Sequence, residues 1–297
     1  MKKSSRSFTV KEETPLLEFL IKYQPEKPKG KVKSEMEHGL VIVNGRAVTQ
    51  FNYMLKEGQT VAVGTYTPKY GIEETPPLDI IYEDDELLVI DKPAGMLAIA
   101  TEKERERTAY HLAMEYVRSQ NVRSRVFIVH RLDRDTSGVL LFAKNEDIKH
   151  ALQDNWDSLA KLRSYIAVTE GTPHPTQGRI ENYLRETESH LVYAAKSGDG
   201  KKAVTNYKVL KSNGKYAYVS VNIETGRKNQ IRVHMKGLGC PVAGDKKYGA
   251  ATNPVHRLCL HSDRLVIAHP YTNEEMIFES PVPRKITKAF AMGKRSE

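Results

Sequence analysis

The chain of 297 residues is 39% hydrophobic and 28% charged, which excludes a disordered polyelectrolyte and fits one large domain with or without a small one. Its formal net charge of +9 is compatible with a polyanionic partner such as a nucleic acid and with an ordinary basic enzyme. The two cysteines, Cys240 and Cys259, form no CxxC pair and cannot complete a four-ligand zinc site alone. No apolar run is long enough to cross a membrane, so we expect a cytoplasmic protein without membrane contact.

The pattern over residues 8–64 predicts a small unit of its own. Apolar residues from Leu16 to Tyr23 fall on one side of a short helix. A strand at Leu40–Val43 is followed by a tight-turn signal at Asn44-Gly45, and Gln59–Val63 predicts a closing strand. This order resembles the S4-type RNA-binding module, whose basic helix is loosely matched by the lysines between residues 29 and 33.

A larger unit follows a break in the pattern. Prolines and glycines at residues 65–78 predict a linker. Beyond it, short apolar runs alternate with turns, and Val204–Leu210 with Tyr216–Ile223 predict a hairpin around an Asn-Gly turn. We therefore predict an α+β domain over residues 79–285, with a large, mostly antiparallel mixed sheet and few helices. A basic C-terminal tail is predicted at residues 286–297.

The charged run from His130 to Gly138 stands between two apolar segments and has several readings. A calcium loop starting at Asp133 requires a bidentate carboxylate at its twelfth position, where Lys144 stands. An aspartyl-phosphate enzyme requires a threonine four residues after its nucleophile, where Ser137 stands. A simple polar turn explains part of the run, but one histidine, two arginines and two aspartates are costly to bury unless they are paired.

The whole segment "VHRLDRDTSGVLLFAKN", residues 129–145, resembles the signature of the RluA/RluD-like branch of the pseudouridine synthases. Three further blocks resemble that family in the same order: "DKPAG" at 91–95, "RSYIAVTEG" at 163–171 and "TGRKNQIRVH" at 225–234. The last block departs from the family pattern at Lys228-Asn229, where threonine and histidine are usual. The resemblance covers about residues 79–283 and implies a pseudouridine synthase fold.

The resemblance also implies a set of site residues. Asp133 would be the catalytic carboxylate, and Arg232 would keep it ionised, as a guanidinium fork suits a carboxylate. Tyr165 would stack on the uracil and move the proton from C5. Substrate-binding roles fall to four further residues: His130, Arg131, Ile231 and Lys92.

These residue types suit the isomerisation of uridine to pseudouridine. Breaking the bond from ribose C1′ to uracil N1 develops positive charge on the sugar, which a carboxylate stabilises or binds covalently. Nothing is oxidised and no group is gained, so we expect no cofactor and no metal. The expected substrate is structured RNA with a flipped-out uridine, large-subunit ribosomal RNA first because of the S4-like unit. The alternatives are transfer RNA and a catalytically silent RNA-binding ribosome-assembly factor, and we expect a monomer.

Overall fold

A computed structural model describes residues 6–37, 40–44, 46–63, 78–101, 104, 107–196 and 199–292. The chain divides into two compact units, one with the residues up to 76 and Glu115–Ser124, the other with the remainder. Most of the predicted linker at 65–78, and Gly45 of the predicted turn, lie outside the described residues. No helix in the described part is both long and apolar enough to cross a membrane.

The first unit contains two small antiparallel sheets and two helices. Its elements are β1 (Arg6–Thr9), β2 (Thr14–Pro15), α1 (Leu16–Tyr23), α2 (Lys29–Glu37), β3 (Val41–Val43), β4 (Arg46–Ala47), β5 (Met54–Leu55) and β6 (Thr60–Val63). The larger sheet has the order β1–β6–β3–β4, and β2 pairs with β5. Helix α1 confirms the predicted helix and buries Leu16, Phe19 and Leu20. The likeness of this unit to the S4 module stays a prediction.

The second unit is built on one sheet of eleven strands. The strands are β7 (Ile80–Glu83), β8 (Leu87–Lys92), β9 (Phe127–Ile128), β10 (Ser137–Ala143), β11 (Ala160–Glu170), β12 (Gln177–Glu186), β13 (Val192–Ala195), β14 (Lys201–Ser212), β15 (Tyr216–Ile223), β16 (Leu260–Ala268) and β17 (Glu275–Glu279). Their order is β13–β12–β14–β15–β11–β16–β10–β8–β7, with β17 on β16 and β9 on β10. The helices are α3 (Ala109–Gln120, shared with the first unit from Glu115), α4 (Glu146–Asp154), α5 (Trp156–Leu159), α6 (Gln230–Gly237) and α7 (Arg284–Ala291), with a 3-10 turn at Lys246–Tyr248.

This sheet confirms the predicted α+β class. Among the strand pairs of the described residues, the pairing of β10 with β16 is parallel and the others are antiparallel. The predicted hairpin is present as β14 and β15. All seven residues of β10 are buried, since the strand lies inside the sheet with both faces covered.

The predicted basic tail at residues 286–297 is wrong over its first part. Helix α7 continues the domain to Ala291 and buries Ile286 and Ala289. The ring of Phe290 lies 5.9 Å from that of Tyr218. Basic residues alternate with apolar residues that have helical spacing in this segment. The charge pattern therefore predicted a tail where the chain forms a helix.

Strand β10 begins directly after the Asp133 loop and is fixed there to β16. Ser137 pairs with His261 and Gly138 with Ser262. The carbonyl oxygen of Ser280 accepts from His261 Nε2 at 3.1 Å, so Nδ1 is free to accept the Ser137 hydroxyl at 2.9 Å. Gly138 has a φ of +113°, and a Cβ there would lie 2.0 Å from the Ser262 carbonyl oxygen. Only glycine allows this approach, which sets where the loop ends.

We expect Gly138→Ala to lower the free energy of unfolding by about 3 kcal/mol, because backbone strain and a clash with backbone add together. Gly214→Ala is the matched control, since Gly214 has a φ of +84° and no heavy atom within 4 Å of the added Cβ. It should cost only about 1 kcal/mol. Urea unfolding of both variants measures the difference. Equal losses would show that the contact with Ser262 is not required.

Candidate active site

A cleft of about 300 Å³ opens in the second unit, where three segments of the chain meet. The loop before β10, the middle of β11 and the start of α6 supply its walls. Six of the seven predicted site residues line it: Asp133, Tyr165, Arg232, His130, Arg131 and Ile231. The fold therefore brings together side chains that are up to about a hundred residues apart in the sequence.

The Asp133 carboxyl group is partly buried at the first turn of α6. Burial raises its pKa. The charges of Arg232 and Arg131 and a hydrogen bond from the backbone N–H of Asn229 act in the opposite direction. Asn229 precedes α6 in the left-handed conformation, with a φ of 54°. Asparagine tolerates this conformation, which places the Asn229 N–H and the positive end of the helix at the carboxylate.

Arg232 holds a different carboxylate from the one that the sequence suggested. Its Nε and second terminal nitrogen donate to the two oxygens of Asp245 at 2.6 and 2.7 Å. The remaining nitrogen donates to Asn229 Oδ1 at 2.9 Å, and the guanidinium lies 4.9 Å from the centre of the Tyr248 ring. Burial opposes its charge, but Asp245 and then Asp133 raise the pKa of Arg232. Arg232 therefore acts on Asp133 through its field, not through a fork.

Tyr165 lies on β11 at an irregularity in the sheet. Ser164 pairs with Arg264 and Ile166 with His261, so β16 places two residues opposite Tyr165 alone. Such a bulge redirects the local side chains, and here the Tyr165 ring lines the cleft. Burial raises the pKa of Tyr165 to about 12, so its hydroxyl keeps its proton. Tyr165 contributes a neutral side chain to the cleft, and its hydroxyl is hydrogen-bonded to the side chain of Ser262.

His130 and Arg131 have different surroundings although they are neighbours. The His130 Nε2 accepts the backbone N–H of Leu141 at 3.1 Å, and its ring stacks on Trp156 with centroids 5.0 Å apart. Burial, with the charge of Arg163, lowers the pKa of His130 to about 3, so the ring is neutral and held in place. Arg131 is exposed and forms no ion pair with any described residue. Of the two, Arg131 is the side chain that is open to solvent.

Lys92 lies outside the cleft, which corrects the substrate-binding role expected from the sequence. Its side chain is fully buried, and burial lowers its pKa to about 7. Its Nζ donates to the carbonyl oxygens of Pro93, Met96 and Arg134 at 2.9, 2.7 and 3.0 Å. All three donor positions are occupied. Lys92 therefore holds the turn after β8 against the Asp133 loop.

Sequence reasoning missed three partners of the site. Asp245, fully buried in its side chain, fixes Arg232. Asn229 bonds Arg232 and also donates from Nδ2 to the Tyr248 hydroxyl at 2.9 Å. Trp156 supports His130. Only Asn229 carried a signal, because it stands at the point where the chain departs from the pattern that it resembles.

Comparisons with known proteins agree with this geometry. The model of the RNA pseudouridylate synthase family matches residues 86–237, which include the Asp133 loop, β11 and the whole of α6. The chain belongs to this family. As an RNA pseudouridylate synthase it is an isomerase, and its substrate is RNA.

Two relatives and one structure illustrate the match. The chain is 35% identical over 251 residues to the uncharacterised RNA pseudouridine synthase YjbO of Bacillus subtilis, covering 83% of this chain and 88% of the relative. It is 31% identical over 283 residues to ribosomal large subunit pseudouridine synthase D of Neisseria meningitidis, covering 90% and 75%. Human RNA pseudouridylate synthase domain containing 4 superposes with a TM-score of 0.59 at 24% identity, over 72% of this chain and 92% of that one, which shows a common fold.

The raised pKa of Asp133 predicts the effect of its charge on stability. Above the ordinary value of 3.8, the unfolded chain loses this proton before the folded chain does. The stability that protonated Asp133 contributes is therefore lost as the pH rises from the pKa of the unfolded state to that of the folded state. At neutral pH the ionised carboxylate destabilises the fold. Asp133→Asn should raise the Tm at pH 7. Asp135→Asn, at an exposed carboxylate two residues further on, should change it little. A lower Tm for Asp133→Asn would contradict the assignment of burial as the dominant effect.

Proposed function

We propose that this pseudouridine synthase isomerises uridines in large-subunit ribosomal RNA, with Asp133 as the catalytic carboxylate. The single observation that carries the assignment is the environment of Asp133. Asp133 lines the same cleft as Tyr165, receives the backbone N–H of Asn229 directly before α6, and lies in the fields of two arginines. These contacts favour an ionised group where burial alone would neutralise it.

In the proposed reaction the bond from C1′ to N1 of uridine breaks while positive charge develops on the ribose. Asp133 stabilises that charge or bonds to the sugar. The uracil then turns, C5 bonds to C1′, C5 loses its proton and N1 gains one. The Tyr165 ring supports the base by stacking. Because its pKa is raised, the neutral hydroxyl favours a hydrogen-bonding and stacking role over that of a standing phenolate base.

The base must leave its stack to reach the cleft, which costs a few kcal/mol. We assign Arg131 to the vacated position in the RNA, because it is exposed, unpaired among described residues and two residues from Asp133. His130 is fixed under Trp156 and serves to shape the loop. Ile231 is buried on α6 and offers an apolar surface to the base.

Two observations support ribosomal RNA over transfer RNA. The Neisseria relative named for the ribosomal large subunit matches 90% of this chain. In the first unit, the lysines of α2 are exposed at positions 29, 31 and 33, while Val32 and Met36 are buried. Exposed lysines suit RNA phosphates, which supports the predicted S4-like role. The cytoplasmic location and the monomeric state stay predictions from the sequence.

The direct test uses unmodified RNA made by transcription. The enzyme is incubated with large-subunit ribosomal RNA and with a transfer RNA mixture, and pseudouridines are mapped chemically. We expect product in the ribosomal RNA, and a loss of more than about 10³-fold in rate for Asp133→Asn with RNA affinity within a few-fold. Product in transfer RNA alone would overturn the ribosomal assignment. Substantial turnover by Asp133→Asn would overturn its catalytic role.

The pH profile gives a second prediction. Asp133 must be ionised to act, so kcat/KM should fall on the acid side at a pH above the ordinary aspartate range. The charge of Arg131 lowers the pKa of Asp133, so Arg131→Gln should move this acid limb to higher pH. Arg134→Gln is the control, since Arg134 is paired with Glu104 at 2.8 Å. An unmoved limb in Arg131→Gln would show that Arg131 does not act on the catalytic carboxylate.

A further inference from the structure

A second cavity, of about 390 Å³, shares Arg232 with the Asp133 cleft. Arg232 lines both cavities, and the Asp133 loop contributes to both as well. Asp133 faces the first cavity and Asp135, two residues on, lines the second. An RNA strand that delivers one nucleotide to Asp133 has its neighbouring nucleotide within reach of the second cavity. We propose that this cavity binds that neighbouring nucleotide.

The positive charges of the second cavity suit a phosphate. Lys246 is exposed, and its ammonium group has no partner among the described residues. Arg257 is partly buried beside it and donates to the Ser137 hydroxyl at 2.8 Å. Burial lowers the pKa of Arg257, while the charge of Asp135 acts against that shift. The cavity thus holds cations near its rim and its floor.

The same cavity also offers hydrogen-bond acceptors that lack donors. The buried Oδ1 of Asn253 has no hydrogen-bond partner in the part of the chain that the structure describes. It lies against Gly244, whose Cβ position is 3.1 Å away. Asp135 is exposed and forms neither a hydrogen bond nor an ion pair with a described residue. A buried acceptor without a donor is unfavourable, which points to a ligand that supplies N–H groups.

These features together select one class of ligand. A free phosphate would meet repulsion from Asp135, and a simple cation would meet Lys246 and Arg257. A nucleotide whose base carries an exocyclic amino group suits both the cations and the hydrogen-bond acceptors of the cavity. Its phosphate would bind Lys246, and its amino group would donate to Asn253 and Asp135. Uracil offers only one N–H and satisfies them less well. The cavity would therefore select adenine, guanine or cytosine beside the target uridine. This inference rests on the proposed action on RNA and extends it to the sequence around the modified uridine.

The test uses a transcribed pool of RNA hairpins with one uridine in the loop and randomised bases around it. The pool is incubated with the full-length enzyme. Protein-bound RNA is sequenced in one arm, and pseudouridine is mapped in the other. We expect wild type to favour an amino-bearing base over uracil by about tenfold at one flanking position. Asn253→Ala should reduce this preference to about twofold or less, in both arms.

Two further variants separate the parts of the cavity. Lys246→Ala should weaken binding of all sequences several-fold and leave the base preference unchanged, whereas Lys208→Ala, at an exposed lysine of β14, should change neither. For Asp135→Asn only the base preference is measured, and the favoured base should change. The inference is overturned if the wild type shows no preference for a flanking base. It is also overturned if Asn253→Ala and Asp135→Asn both keep the base preference of the wild type. A preference in bound RNA without pseudouridine would instead overturn the proposed function and leave the inference standing.

Discussion

The bidentate ion pair between Arg232 and Asp245 is the interaction on which the site depends. A guanidinium free to turn would form its fork with Asp133 and occupy the lone pairs of that carboxylate. Because Asp245 and Asn229 each accept from Arg232, with one bond from each of its three nitrogens, Arg232 supplies positive potential to Asp133 without a direct bond. Its contact with the Tyr248 ring fixes the plane of the guanidinium. The charge of Arg232 thus acts on Asp133 while its hydrogen bonds go to Asp245 and Asn229.

That arrangement has an energetic counterpart in the loop that carries Asp133. The loop ends are held by groups with no catalytic duty: Lys92 binds three backbone carbonyls on one side, and Gly138 joins β16 on the other. Strong supports of this kind compensate for a buried charge that destabilises the fold. Lys92 and Gly138 therefore hold the two sides of the segment that carries Asp133.

The sequence predicted the class of fold, the hairpin of β14 and β15 and the segments that form the cleft, because each of these leaves a local or motif-level pattern. It did not predict that Arg232 binds Asp245, since a pair thirteen residues apart leaves no periodic signal. It misjudged Lys92, because a lysine in a turn looks exposed until its carbonyl partners are known. It also missed α7, whose apolar face is diluted by basic residues. Long-range contacts and burial decided these cases, and neither is a property of a single segment.

The parallel pairing of β10 with β16 also affects how the enzyme folds during its synthesis on the ribosome. Gly138 meets Ser262, and Tyr165 meets the same strand, so the loop and its opposing wall are joined only by residues that are translated much later. The separation of 262 − 138 = 124 residues corresponds to roughly 6–25 s of synthesis at roughly 5–20 residues per second. During that interval β8 is already available to pair with β10, but β16 has not yet been synthesised. Because these contacts join residues far apart in the sequence, the Asp133 loop and the β16 side of the sheet come together late in synthesis.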